Sequence, residues 1–268
     1  MPHQLLAILF LASLLVIPLV GVYLSLRRTS YSPFQYALWF TATLLVRLLW
    51  RAQLPRRWPP ETEQGVVVVC NHRSSIDPFF LQVCCQRPMH WMVAREYCEH
   101  PAFRWFLTAC EVIPVNRGGI DTASTKMAIR YAQEGGRVGM FPEGRINMTT
   151  QLMLPIRPGA VLVALRARVP ILPCYISGSP YLGTPWSPFF MTARVRVQFG
   201  DVIDLMPHYD QEPDDQLVRE VMTRVVREIA RLADAEDFEP TFAGRRWKPT
   251  EEEVLADIEA HARRRVSG

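Results

Sequence analysis

The chain has 268 residues, 49% of them hydrophobic, with 30 Lys plus Arg against 26 Asp plus Glu and a formal charge of +4. That length and apolar content suffice to bury a substantial core. A nucleic-acid partner is excluded by where the charge sits: Arg27, Arg28, Arg47, Arg51, Arg56 and Arg57 stand in residues 1 to 60 with no acid, and the rest of the chain is slightly acidic.

The first predicted element is an apolar helix. Gln4 to Leu26 carries no charged side chain and, at about 1.5 Å per residue, is long enough for a hydrocarbon layer of about 30 Å. A cleaved signal peptide is the competing reading, but no Lys or Arg precedes the stretch, and it exceeds the usual signal core of about 7 to 15 residues. Pro18 either kinks the helix or turns it into a re-entrant hairpin. Phe34 to Trp50, interrupted by Arg47 and followed by Arg51 and Arg56-Arg57-Trp58, has the mixture of an interfacial segment, with a core helix as the alternative. Residues 1–60 therefore read as a membrane-anchoring arm in contact with membrane lipids, at about 1 kcal/mol per basic residue near an anionic surface. All six arginines follow the first apolar stretch, which places the following domain on the cytoplasmic face of the cell membrane.

After the Pro-rich linker Leu54 to Pro60, strand-like and helix-like segments alternate, the pattern of an α/β domain with a mostly parallel sheet flanked by helices. Strands are expected at Val66 to Cys70, Trp91 to Ala94, Val112 to Val115, Arg137 to Phe141, Ile171 to Ile176 and Ala193 to Phe199. Helices are expected at Pro78 to Gln86, Pro101 to Ala109, Asp121 to Glu134, Gly159 to Ala167 and Pro213 to Ala233. The last has an apolar stripe from Leu217 to Ile229 of the core-packing kind. The domain spans 61–235, and a tail, 236–268, ends in a helix opened by the capping-box signature Thr250-Glu251-Glu252-Glu253.

Two segments carry chemistry, each at the end of a strand. Asn71-His72-Arg73-Ser74-Ser75-Ile76-Asp77-Pro78 follows a continuous β-branched run, and the carboxyl rim of an open α/β sheet is where ligands bind. A tight turn there folds Asp77 back onto His72, so that the carboxylate orients the imidazole as a general base. A histidine that merely closes a turn, and an aspartate that caps the next helix, are the structural alternatives, and capping and orienting are compatible. The second segment is Phe141-Pro142-Glu143-Gly144-Arg145.

These blocks resemble, in order and spacing, the glycerolipid acyltransferases of the lysophosphatidic acid acyltransferase type. His-x4-Asp matches at Asn71 to Pro78, and a second block resembles Val112-Ile113-Pro114-Val115-Asn116-Arg117. The third matches Phe141 to Arg145, the fourth resembles Val169-Pro170-Ile171-Leu172-Pro173, and the resemblance covers about residues 60 to 232. Many members read Glu-Gly-Thr-Arg in the third block, whereas Arg145 here follows Gly144 directly, a form found among bacterial relatives including acyltransferases of lysophosphatidylethanolamine. The resemblance implies an O-acyltransferase that moves a fatty acyl group from acyl-CoA or acyl-carrier protein to a lysophospholipid hydroxyl, lysophosphatidic acid first. The alternatives are lysophosphatidylethanolamine, an aminolipid or glycerol 3-phosphate as acceptor, or a non-catalytic lipid-binding membrane protein.

In that chemistry His72 removes the acceptor's hydroxyl proton and Asp77 fixes the tautomer, a contribution of about 10² to 10⁴ in rate. Arg117 and Arg145 are the candidates for holding an acceptor phosphate, because guanidinium groups bind such oxygens bidentately, with Arg157 a further candidate. Glu143 and Gly144 complete the substrate-binding set, Glu143 as a group that orients the acceptor hydroxyl. Ile171 and Pro173 of the fourth block are expected to line the acyl path, and backbone N–H groups beside Ser74 and Ser75 are candidate oxyanion donors. No metal or cofactor beyond the acyl donor is indicated, since the six histidines form no ligand pair at helical spacing. The six cysteines show no disulfide or metal spacing and read as reduced core residues, Cys70 included.

Overall fold

The computed structural model describes residues 2–116 and 121–244. Arg117 and the predicted terminal helix from Thr250 lie outside the described residues.

Six strands form one sheet: β1 (Val66–Cys70), β2 (Met89–Ala94), β3 (Ile113–Val115), β4 (Arg137–Met140), β5 (Ile171–Ser177) and β6 (Arg196–Phe199), in the order β3-β2-β4-β1-β5-β6. All pairings are parallel except β5 with β6. β1 lies inside the sheet, and all five of its residues are fully buried. Its side chains alternate between two cores, as the strand period of two requires. Val67 and Val69 face α6 (Thr122–Gln133), α7 (Gly159–Ala167) and α8 (Asp215–Leu232); Val66, Val68 and Cys70 face α3 (Asp77–Gln82) and Trp50. Burial on both faces is why the sequence shows an unbroken apolar run there.

The expected strands all form. Val66–Cys70, Pro101–Ala109 (α5) and Gly159–Ala167 keep the bounds expected of them, and the other elements shift by a few residues. α6 opens on Asp121, whose carboxylate accepts the Ser124 N–H at 3.0 Å, and α8 opens on Asp214, which accepts the Leu217 N–H at 2.7 Å. The short α4 (Arg95–Glu99) is not foreshadowed in the sequence, because five mostly polar residues carry no periodic signal.

The amino-terminal region begins with α1 (Pro2–Arg27) and α2 (Pro33–Leu44), the latter opened by a capping box between Ser32 and Gln35. Among the described residues no helix is long and apolar enough to cross a membrane. The stretch expected to span, Gln4 to Leu26, is helical within α1, which carries exposed apolar side chains along its length, among them Leu5, Phe10, Leu14, Ile17 and Tyr23.

The segment expected at the bilayer surface divides its faces. Phe34, Phe40, Leu44 and Leu48 are exposed, whereas Val46 and Trp50 are fully buried in the α3-side core. The Trp50 indole donates to the Pro188 carbonyl at 3.0 Å, and Gln53 exchanges backbone hydrogen bonds with Val195 and Val197 beside β6. The domain's packing thus begins well before residue 61.

Candidate active site

β1 and β4 are neighbours and parallel, so their carboxyl ends meet at one rim of the sheet. His72 follows the end of β1, and Glu143 follows the end of β4. Between them and the sheet stands Asn71, buried, whose side chain behaves as a strand residue would. Its Nδ2 donates to the Ile176 carbonyl at 2.9 Å and its Oδ1 accepts the Ile176 N–H at 2.8 Å, which carries the β1–β5 pairing past the last residue of β1.

The chain then turns so that Asp77 reaches back to His72, with Asp77 Oδ2 3.0 Å from the ring Nδ1. The same oxygen accepts the Arg73 N–H at 2.6 Å and the Ser74 N–H at 2.7 Å, while Oδ1 accepts the Ser179 hydroxyl at 2.6 Å. Asp77 has no exposed surface, and a carboxylate with four donors is the way a buried charge is accommodated. Its oxygens bond the turn before α3 rather than the first amides of that helix, so it orients the histidine and does not cap. The Ser74 N–H, expected as an oxyanion donor, is committed to Asp77.

With a carboxylate at Nδ1, the proton of the neutral ring sits there, and Nε2 is the basic nitrogen. The ring lies flat against Phe141, centroids 3.9 Å apart at 8°, and Phe141 lies flat on Trp91 at 4.8 Å and 15°. This aromatic stack fixes the plane of the imidazole and leaves its side chain 16% exposed toward a cavity.

Glu143 occupies a different place from the one expected. It is buried, its Oε1 accepts the His72 N–H and its Oε2 accepts the Leu154 N–H, each at 2.8 Å. Burial pushes its carboxyl up to about 7, opposed by those two backbone donors. Glu143 therefore holds the main chain of His72 in place; buried, with both oxygens engaged with backbone and no part in the cavity wall, it does not reach a molecule in the cavity. Gly144 beside it adopts φ 67°, the left-handed conformation that suits glycine at a turn.

His72, Gly144, Arg145 and Arg157 border the same cavity, of about 1230 Å³. Arg157 is tied to the third block by its N–H, which donates to the Pro142 carbonyl at 2.9 Å. Beyond His72 the walls are mostly apolar, with Phe79 from α3, Val93 from β2, Phe106 from α5, and Trp39 and Leu45 from the α2 region.

Ile171 and Pro173 do not line it. They pair with Val67 and Val69 inside the sheet and, being two positions apart, lie on the same face as those valines, buried in the sheet rather than at its rim. The lining comes instead from elements such as α5, whose Phe103, Trp105, Phe106 and Leu107 escape burial in the core and border the cavity.

Three further residues escaped the sequence reading. Arg73 donates to the carbonyls of Asn147, Thr149 and Gln151, clamping the loop after Arg145. Asn147, buried where the third block departs from the common pattern, gives its N–H to the His72 carbonyl at 2.7 Å and its side-chain amide to the Gln151 carbonyl at 3.0 Å. Ser179 is the third. Cys70 is fully buried, and burial pushes its thiol well above the ordinary range, so it is no nucleophile.

Residues 51–177 match the family model described as Acyltransferase. The 1-acyl-sn-glycerol-3-phosphate acyltransferase of Bacillus subtilis is 29% identical over 117 residues, 43% of this chain and 57% of that protein. The human 1-acyl-sn-glycerol-3-phosphate acyltransferase beta is 31% identical over 153 residues, 56% of this chain and 54% of that protein. The chain thus spans somewhat over half the length of these curated relatives. The crystal structure of the 1-acyl-sn-glycerophosphate acyltransferase of Thermotoga maritima superposes with a TM-score of 0.51 at 18% identity, over 68% of this chain and 71% of that one, a likeness of fold.

Proposed function

We propose, for a chain whose residues 51–177 match the Acyltransferase family model, that it transfers a fatty acyl group from the thioester of acyl-CoA or acyl-carrier protein to the free hydroxyl of a lysophospholipid, lysophosphatidic acid foremost. The observation that carries this reading is His72, its Nδ1 held by Asp77 and its ring bordering a largely apolar cavity. A base at the mouth of a tail-sized cavity suits an alcohol attached to a lipid.

In the proposed step His72 Nε2 takes the acceptor's hydroxyl proton as that oxygen attacks the thioester carbon. Asp77 stabilises the imidazolium that forms. Collapse of the tetrahedral intermediate breaks the carbon–sulfur bond, and the departing thiolate takes the proton from His72, leaving an oxygen ester and a free thiol. Arg145 and Arg157 border the cavity near His72 and are assigned to the acceptor's phosphate, with Arg117 the third member of that set. Acyl donor and acceptor are the only partners this step requires.

The amino-terminal region is assigned to the membrane. Leaving Leu5, Phe10, Leu14 and Ile17 in water forfeits about 25 cal/mol for each Å² of apolar surface, which lipid would recover. The basic residues after α1 favour seating the domain on the cytoplasmic face.

The test is to supply the purified protein, in vesicles, with acyl-CoA or acyl-carrier-protein donor and a mixture of lysophosphatidic acid, lysophosphatidylethanolamine and glycerol 3-phosphate, and to read the products by mass spectrometry. Acylated lysophosphatidic acid is expected as the main product. Lysolipid binding without any acylated product would replace the enzyme with a lipid-binding protein.

A further inference from the structure

Asp77 receives its donors unequally. Oδ2 takes His72 Nδ1 and the N–H groups of Arg73 and Ser74, all from its own turn, whereas Oδ1 takes the Ser179 hydroxyl at 2.6 Å from a segment 102 positions away in sequence. The three donors on Oδ2 all come from one turn, and a donor at Oδ1 restrains rotation about the Cβ–Cγ bond from the carboxylate's other end. Ser179 supplies that second tie.

The chain around Ser179 is built to deliver it. Gly178 adopts φ 76°, and a side chain there would collide with the Arg194 carbonyl, so the turn after β5 demands glycine. The same loop is pinned to the histidine turn, Ser74 donating its hydroxyl to the Pro180 carbonyl at 2.6 Å and Ser75 to the Pro185 carbonyl at 3.0 Å. Farther along it, Tyr181, Trp186 and Phe189 line the cavity. One segment therefore forms part of the cavity wall and fixes the carboxylate that orients the base.

We infer that Ser179 is a positioning residue for the His72–Asp77 pair, acting through Asp77 Oδ1, a role that rests on the acyl-transfer reading above. It touches neither substrate nor the reacting atoms. Its contribution lies in the alignment of Asp77, hence in the turnover step rather than in substrate binding.

The test compares Ser179→Ala and Ser179→Thr with wild type in the acylation assay. Ser179→Ala should lower kcat about tenfold with KM little changed, the size expected for one hydrogen bond to a charged group. Ser179→Thr, which keeps the hydroxyl, should restore most of that loss. In an Asp77→Asn background, Ser179→Ala should have almost no further effect, because its route of action is already broken. Should Ser179→Ala not fold, Ser179→Cys, with a weaker donor of similar volume, takes its place under the same expectations. Wild-type kcat in Ser179→Ala, a change confined to KM, or an undiminished loss in the Asp77→Asn background would each overturn the inference. Loss of activity in His72→Ala alongside such a result keeps the acyl-transfer reading intact, so the two failures are separable.

Discussion

The main-chain N–H of His72 donates to Glu143 Oε1 at 2.8 Å, which joins the two motifs through the backbone of the base and leaves its ring to Asp77 on one side and the cavity on the other. Glu143 ties the Leu154 N–H with its second oxygen, so a single buried carboxylate holds two loops at the rim of the sheet.

That carboxylate makes stability depend on pH. Burial lifts it from the ordinary 4.5 to about 7; between those values the folded chain keeps a proton that the unfolded chain has lost, so stability falls as pH rises through that window. In Glu143→Gln nothing titrates at this position. The stability of wild type relative to Glu143→Gln, from urea melts, should decline by about 1.4 kcal/mol per pH unit at most across the window and level off on either side. A difference that stays flat over the whole range would remove the buried titrating group from the account.

Asn71 offers a test of the sheet extension. Asn71→Ala strips partners from both the N–H and the C=O of Ile176, which is 1% exposed. Unsatisfied buried groups cost about 1 to 3 kcal/mol each, so denaturant melts should show a loss on the order of 2 to 5 kcal/mol. A loss below the scale of one hydrogen bond would mean that the pairing past Cys70 adds little.

Gly139 tests the aromatic stack behind the base. A Cβ at this position would meet the Trp91 ring at 2.5 Å, and Trp91 supports Phe141, which supports His72. Gly139→Ala should cost about 1 to 3 kcal/mol through overpacking and lower turnover as well, because the displaced indole moves the plane on which the imidazole rests. Near-UV circular dichroism should register the shift of Trp91; an unchanged spectrum with unchanged turnover would contradict this view of the stack.

How much of this is legible in sequence depends on distance along the chain. Val66–Cys70 is readable because a strand buried on both faces has to be apolar throughout. His72 and Asp77 are readable because five positions and one turn separate them. Ser179 and the Asn71–Ile176 bond are not, because their partners lie more than a hundred residues away and nothing local marks the pairing. The fourth block points wrongly to Ile171 and Pro173 for a related reason: a strand motif locates the strand but not which of its side chains reach a cavity. The burial of Val46 and Trp50 was hidden because apolar patterning alone does not distinguish a protein core from lipid as the medium that covers it.

In the proposed reaction one imidazole, steered by Asp77, performs the proton transfer. The direct measurement is the initial rate of acylation of lysophosphatidic acid by wild type, His72→Ala and Asp77→Asn, with labelled acyl donor and with folding of each variant verified by far-UV circular dichroism. Folded His72→Ala should lose about 10² to 10⁴ in kcat, the range of positioned general base catalysis, and Asp77→Asn should lose rate in the same direction. Wild-type rates in both folded variants would contradict the claim.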